Sequence, residues 1–222
     1  MAVKTKTQIL NTAEALFAQQ GFSNTSLRTI TTCADVNLAS VNYHFGSKKL
    51  LIQAVLQRYL DVLMPKVNQQ LDHLVESVAE PEVPHIFEAM VEPLLSLNNL
   101  RPNGTSTFVL LLGRGYSESQ GHLRRFITEH YGPVLMRVVA MVHQALPELA
   151  PSEVFWRLHF AIGTFVFSMA SSSALTEIAA ADYDQDVDIK GVIGRILPFI
   201  SAGVATPLQT GNWSLDLKRD IA

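Results

Sequence analysis

Residues 41–49 read VNYHFGSKK: a histidine between two aromatic rings, then glycine, serine and two lysines. These side chains can hydrogen bond and carry positive charge. Asn42 offers a donor and an acceptor together, which suits an adenine edge, Ser40 can take either role, and Ala39 can touch a thymine methyl. Tyr43 and His44 can donate to phosphate. Lys48 falls in the first turn of a helix, where free backbone donors and its ammonium together can hold another phosphate. Thr25 and Arg28, at the start of a preceding helix, can hold the neighbouring stretch of backbone. Signatures of catalysis are missing: there is no GxSxG elbow, HExxH, Walker loop or dinucleotide fingerprint, and GRGYSE at 113–118 has the wrong glycine spacing. His122 and His130 are eight apart, not the i,i+4 pair of a helical metal site, and Cys33 is the single cysteine. Neither an enzyme nor a metal site is expected.

The elements that must position these groups read as helices. Ile9, Ala13, Leu16 and Phe17 share one face of a helix from Lys4 to Gln20, and Gly21 supplies the left-handed residue that ends it. Thr25 is the N-cap expected for a short helix from Ser26 to Cys33, with Leu27, Ile30 and Ala34 facing the first. Val36 and Asn37 make a tight turn, and a third helix runs from Leu38 to Phe45. On it Leu38, Val41 and Phe45 are expected to point inward. Gly46 breaks it and Ser47 caps a long helix. Two short helices joined by a tight turn, the second exposed beside lysines, form a helix-turn-helix.

Beyond Leu63 the pattern stays helical. Pro65 is expected to kink or end a turn, and ESVAEPEVPH reads as a linker. Helices are predicted for His85–Asn98, Ser106–Tyr116, Gln120–Leu146, Ser152–Ala180 and Asp186–Gly203, about nine in all, with no strand pattern. The domain division expected is 1–50, 51–205 and a tail, 206–222, in which Trp213 and Leu215 suggest docking. With 222 residues, 48% of them hydrophobic, the chain can bury a large core. The first twenty residues lack the apolar stretch of a secretory signal, so the chain is expected in the cytoplasm, associated with the nucleoid when DNA-bound. The apolar run from Phe160 to Thr176 is short for a bilayer span and reads as a buried helix, with no membrane partner. Residues 1–60 carry a net +4 and the remainder −7. A basic head on an acidic body favours a polyanion for the head.

With these positions in view, GFSNTSLRTITTCADVNLASVNYHFGSKKLL resembles the N-terminal DNA-binding domain of the TetR family: Gly21-Phe22, Thr25, Ile30, Ala34, Val36, Tyr43-His44-Phe45, Lys48 and Leu50-Leu51 stand at that family's positions. The resemblance implies an all-α homodimeric transcription regulator, usually a repressor, that binds an inverted-repeat operator in double-stranded DNA and is released by a small apolar effector. By carry-over, Tyr43, His44 and Lys48 contact phosphate and Ala39, Ser40 and Asn42 read bases. The head also resembles the PsrA-type regulators of fatty-acid degradation, which implies a long-chain fatty acid or acyl-CoA as effector and no cofactor. The alternatives are a drug or other aromatic ligand or, in another class, a helical lipid-binding protein or an enzyme.

In the body, Phe108, Leu112, Phe126, Phe155, Phe160 and Phe167 are candidates to line an acyl pocket, and Arg114, Arg124 and Arg125 to hold its carboxylate or CoA phosphates. For the subunit interface, Ile189, Val192, Ile193, Ile196 and Ile200 form one stripe of the last helix, joined by Phe165 and Met169 from the apolar helix before it.

Overall fold

The structure, a computed structural model, describes residues 2–118 and 121–207, and every regular element among them is an α-helix. There are twelve, more than the periodicity predicts: α1 (Ala2–Gln20), α2 (Leu27–Cys33), α3 (Leu38–Phe45), α4 (Lys48–Ser77), α5 (Val83–Glu88), α6 (Val91–Leu95), α7 (Leu97–Leu100), α8 (Gly104–Ser117), α9 (Gly121–Ala145), α10 (Pro151–Ala170), α11 (Ser172–Tyr183) and α12 (Ile189–Ala205). Trp213, Leu215 and the rest of 208–222 lie outside the described residues.

The extra helices have local causes. Pro93 lacks an N–H and crowds the preceding turn, and the segment expected as one helix from His85 to Asn98 is three short ones, α5 to α7. The single helix expected over Ser152–Ala180 breaks at Ser171, and its halves are bent by 67°. Pro65 has the opposite outcome, since α4 runs through it for 30 residues. The lost hydrogen bond is tolerated there because Leu60, Leu63, Val67 and Leu71 on both sides are buried and hold the helix in place.

Helices α1, α2 and α3 wrap the first turns of α4. Ile9, Ala13 and Phe17 of α1, Phe22, Ile30 of α2, Val41 and Phe45 of α3, and Leu51 and Val55 of α4 close a small core. The Phe17 and Phe22 rings meet edge to face at 5.3 Å. Farther along, α4 packs on α9, α8 on α10, and α12 on α10 and α5. Among the described residues no single helix is long and apolar enough to cross a membrane.

A buried carboxylate ties the two parts together. Glu14 of α1, only 4% exposed, pairs with Arg58 of α4 at 2.9 Å and with Arg101 of the α7–α8 turn at 2.8 Å. Both guanidinium groups also donate to Asn11 Oδ1. Tyr59 is fully buried beside this cluster; burial, and after it the Glu14 charge, push its hydroxyl pKa up. Three elements thus share one desolvated charge, and removing a single partner leaves the others uncompensated. Glu14→Ala is expected to lower stability by on the order of 3 kcal/mol, read as a lower urea midpoint. An unchanged midpoint would show that this joint does not stabilise the fold.

Candidate nucleic-acid interface

Side-chain caps define the turn between α2 and α3. Ser26, one residue later than the predicted Thr25, caps α2 by accepting from the Thr29 N–H at 3.0 Å. Asp35 takes the left-handed conformation (φ 48°), and the Val36 N–H returns to the Thr31 carbonyl at 3.0 Å. Asn37 then caps α3, its Oδ1 accepting from the Ser40 N–H at 2.8 Å and from the Ser40 hydroxyl at 2.9 Å. At the far end Gly46 (φ 74°) turns the chain, and Ser47 accepts from the Leu50 N–H to open α4.

Burial of Val41 and Phe45 fixes how α3 is rotated. Ala39, Asn42 and Tyr43 are therefore exposed, Tyr43 by 81%. Ser40 is half-buried; its proton is given to Asn37, so its oxygen faces a partner as an acceptor. His44 is also half-buried, its ring 5.0 Å from that of Tyr43 and 6.3 Å from that of Phe45. Lys6 places its ammonium 6.0 Å from the Phe45 ring, so α1 adds a charge near this face. Lys48 reaches across to the Ser23 carbonyl at 3.4 Å, and Arg28 is exposed on α2.

Two residues depart from the sequence reading. Thr25 is fully buried and its hydroxyl donates to the Gly21 carbonyl at 2.7 Å, so its side chain braces the α1–α2 corner and is closed to an external phosphate. Leu38 is 48% exposed: Asn37 takes the capping position, and Leu38 opens the helix at the end of the stripe that Val41 and Phe45 bury, where half of its side chain is left uncovered.

Sequence reasoning missed the joint between this head and α8. The Glu118 carboxylate accepts from the Phe22 N–H at 3.0 Å and the Ser23 N–H at 2.6 Å, while Arg114 donates to the Gln19 carbonyl at 3.2 Å. Gly21 (φ 84°) allows this approach, because a Cβ there would collide with the Glu118 carboxylate. No local sequence signal marks a contact across 95 residues.

Of the body residues expected around a ligand, Arg125 and Phe126 border one groove, and the others are spread along α8, α9 and α10. Phe108 and Phe126 are buried in the core, Leu112 is half-buried, and Arg114 is committed to the head. Phe155, Phe160 and Phe167 stand on the open side of α10, with Phe160 65% exposed. Phe160 and Phe167 are therefore not covered as the buried reading of the Phe160–Thr176 run expects. Arg124 and Arg125 are exposed at the start of α9. Arg124 lies near Tyr116, whose pKa is raised by burial and drawn partly back by that charge. His122 has a lowered pKa, first from burial and then from Lys49 and Arg125.

The residues expected between subunits are likewise displaced. Val192, Ile193, Ile196 and Ile200 of α12 and Met169 of α10 are covered within the chain, and Phe165 and Ile189 are half-buried. A helix stripe points toward the nearest apolar surface, and here α10 and α5 supply it. What remains uncovered is Trp156, Phe160, Gly163 and Phe167 along one line of α10, with Phe199, 70% exposed, on α12. Trp156 and Phe160 stack with centroids 5.9 Å apart.

Two family models match the chain: bacterial regulatory proteins of the tetR family over residues 9–55, and the tetracyclin repressor-like C-terminal domain over residues 88–203, more than half its length. The probable HTH-type transcriptional regulator YttP of Bacillus subtilis is 41% identical over 61 residues, 28% of this chain and 30% of that one. Matched stretches span 30% and 56% of the length of the first curated relatives. Among solved structures, a TetR-like transcriptional regulator from Rhodococcus sp. RHA1 superposes with a TM-score of 0.57 at 14% identity, over 91% of this chain and 97% of that one. The fatty acid degradation regulator FadR from Bacillus halodurans does so at 0.52 and 14%, over 91% and 95%. At such identity these two likenesses speak to the fold alone.

Proposed function

The chain belongs to the TetR family, and from that premise we propose that it is a DNA-binding transcriptional regulator, a repressor that holds an inverted-repeat operator as a homodimer in the cytoplasm. The observation that carries this reading is α3 itself, rotated by Val41 and Phe45 so that Ala39, Asn42 and Tyr43 face outward beside Lys48. In this reading residues 1–50 are the DNA-binding domain, and 51–205 bind ligand and dimerise. Asn42, Ser40 and Ala39 meet base edges, while Tyr43, His44, Arg28 and Lys48 meet phosphates.

One recognition helix covers a half-site, so a twofold operator asks for a second copy. The line of Trp156, Phe160 and Phe167 on α10, with Phe199 on α12, is the face we assign to it. Large apolar side chains are exposed there, and a Cβ added at Gly163, Gly194 or Gly203 would meet nothing, so a helix backbone can approach closely. The effector proposed is a long-chain fatty acid or its CoA thioester. The PsrA-type wording of the head and the apolar body support it. Phe108 and Phe126 are packed in the core, so a chain entering between α8, α9 and α10 must displace core side chains, and that displacement is the signal.

Lys48→Ala is expected to weaken operator and random duplex alike and to lower the salt slope by about 1, whereas Asn42→Ala mainly relaxes sequence preference; the reverse pattern would overturn the assignments. Phe160→Asp should convert dimer to monomer in sedimentation velocity, and a folded variant that stays dimeric would place the interface elsewhere. Oleate or oleoyl-CoA should release the bound duplex in a gel-shift titration of active dimer; release by neither, nor by shorter acyl chains, would remove the effector class.

A further inference from the structure

Lys49 and Arg125 come from different helices, α4 and α9, yet both line one groove of about 330 Å³ beside the head. Gln53 and His122 are also in its wall, and the Gln53 amide donates to the His122 carbonyl at 3.4 Å, holding the two helices together. Phe126, Glu129 and His130 complete it, the Phe126 and His130 rings 4.4 Å apart. Arg58, Arg101, Arg137 and Arg157 each pair with a carboxylate. Among the described residues Lys49 and Arg125 have no carboxylate within ion-pair distance, although Glu129 lines the same groove.

Two cations aimed at one space repel each other, and that cost becomes a gain when an anion lies between them. Their field is felt locally, since both disfavour the charged form of His122. Beyond residue 60 the chain is net −7, so this positive spot stands against an acidic background. Its position is equally specific. His122 follows Glu118, which holds the Phe22 and Ser23 amides, and Lys49 follows Lys48, which donates to the Ser23 carbonyl.

We propose that the groove between α4 and α9 is an oxyanion site that takes a phosphate group between Lys49 and Arg125. The phosphate can come from DNA backbone flanking the half-site, which rests on the regulator reading above, or from a free phosphate-bearing small molecule, which does not. Guanidinium and ammonium groups suit either, by charge-assisted hydrogen bonds.

Two arms on the full chain separate the sources. In the first, inorganic phosphate is titrated at constant ionic strength while the histidine ring signals are followed by NMR, with His122 assigned through its loss in His122→Gln. A phosphate between the cations raises the His122 pKa, and this saturable shift is abolished in Lys49→Gln/Arg125→Gln. In the second arm, the affinity for a duplex bound by the wild type is measured against salt. If backbone phosphate fills the site, the double variant loses about 0.9 from the slope for each contact removed, on specific and random duplex alike. A lower slope in the second arm identifies DNA backbone, and a saturable shift in the first with an unchanged slope in the second identifies a free ligand. No saturable shift together with an unchanged slope overturns the site. Should the wild type bind no duplex at all, the regulator reading fails on its own, and the phosphate titration decides the groove.

Discussion

The arrangement turns on one desolvated carboxylate. Glu14 sits on the first helix, its partners Arg58 and Arg101 sit on the connecting helix and on the turn before α8, and Asn11 receives a hydrogen bond from each guanidinium. A buried charge of this kind is a poor source of net stability but a strict one of geometry, since it tolerates only the placement that supplies both partners. Hydrophobic contact between α1 and α4 would allow sliding and rotation. The ion cluster does not, so the direction in which α3 presents Asn42 and Tyr43 is referred back to the body through α1.

Much of the head was legible because its signals are local. The bounds Leu38–Phe45, the break at Gly46 and the cap at Ser47 each depend on residues within one or two turns. The all-helical class was legible for the same reason. The sequence is ambiguous where two local signals compete or a distant neighbour decides. Pro65 and Pro93 look alike in sequence, but Pro65 lies on the exposed side of a long helix whose other face is buried, whereas Pro93 is itself buried within a run of short helices. Thr25 and Ser26 are both good caps, and the core chose between them by burying the threonine.

In the body the apolar stripes are plain in the sequence but their neighbours are not. Ile193 and Ile196 are covered within the chain and Phe160 is exposed, the reverse of what their stripes suggest. Periodicity reports that a helix has an apolar face; it does not say whether that face meets its own chain. α10 is apolar nearly all round, so one side could cover α12 and α8 while the other stayed open. The polar links from Arg114 and Glu118 to the α1–α2 corner were invisible for a related reason, being made of residues that look like an ordinary helix end.

Glu118 bears on modularity. Its carboxylate supplies the acceptor for two backbone amides of the head, Phe22 and Ser23. A head cut at its sequence boundary and joined to a foreign body would carry those amides without their acceptor, and Gly21 would border a gap. The unit that can be exchanged between proteins of this architecture is therefore discontinuous: the first fifty or so residues together with the end of α8 and its C-cap Glu118, inherited as a matched set.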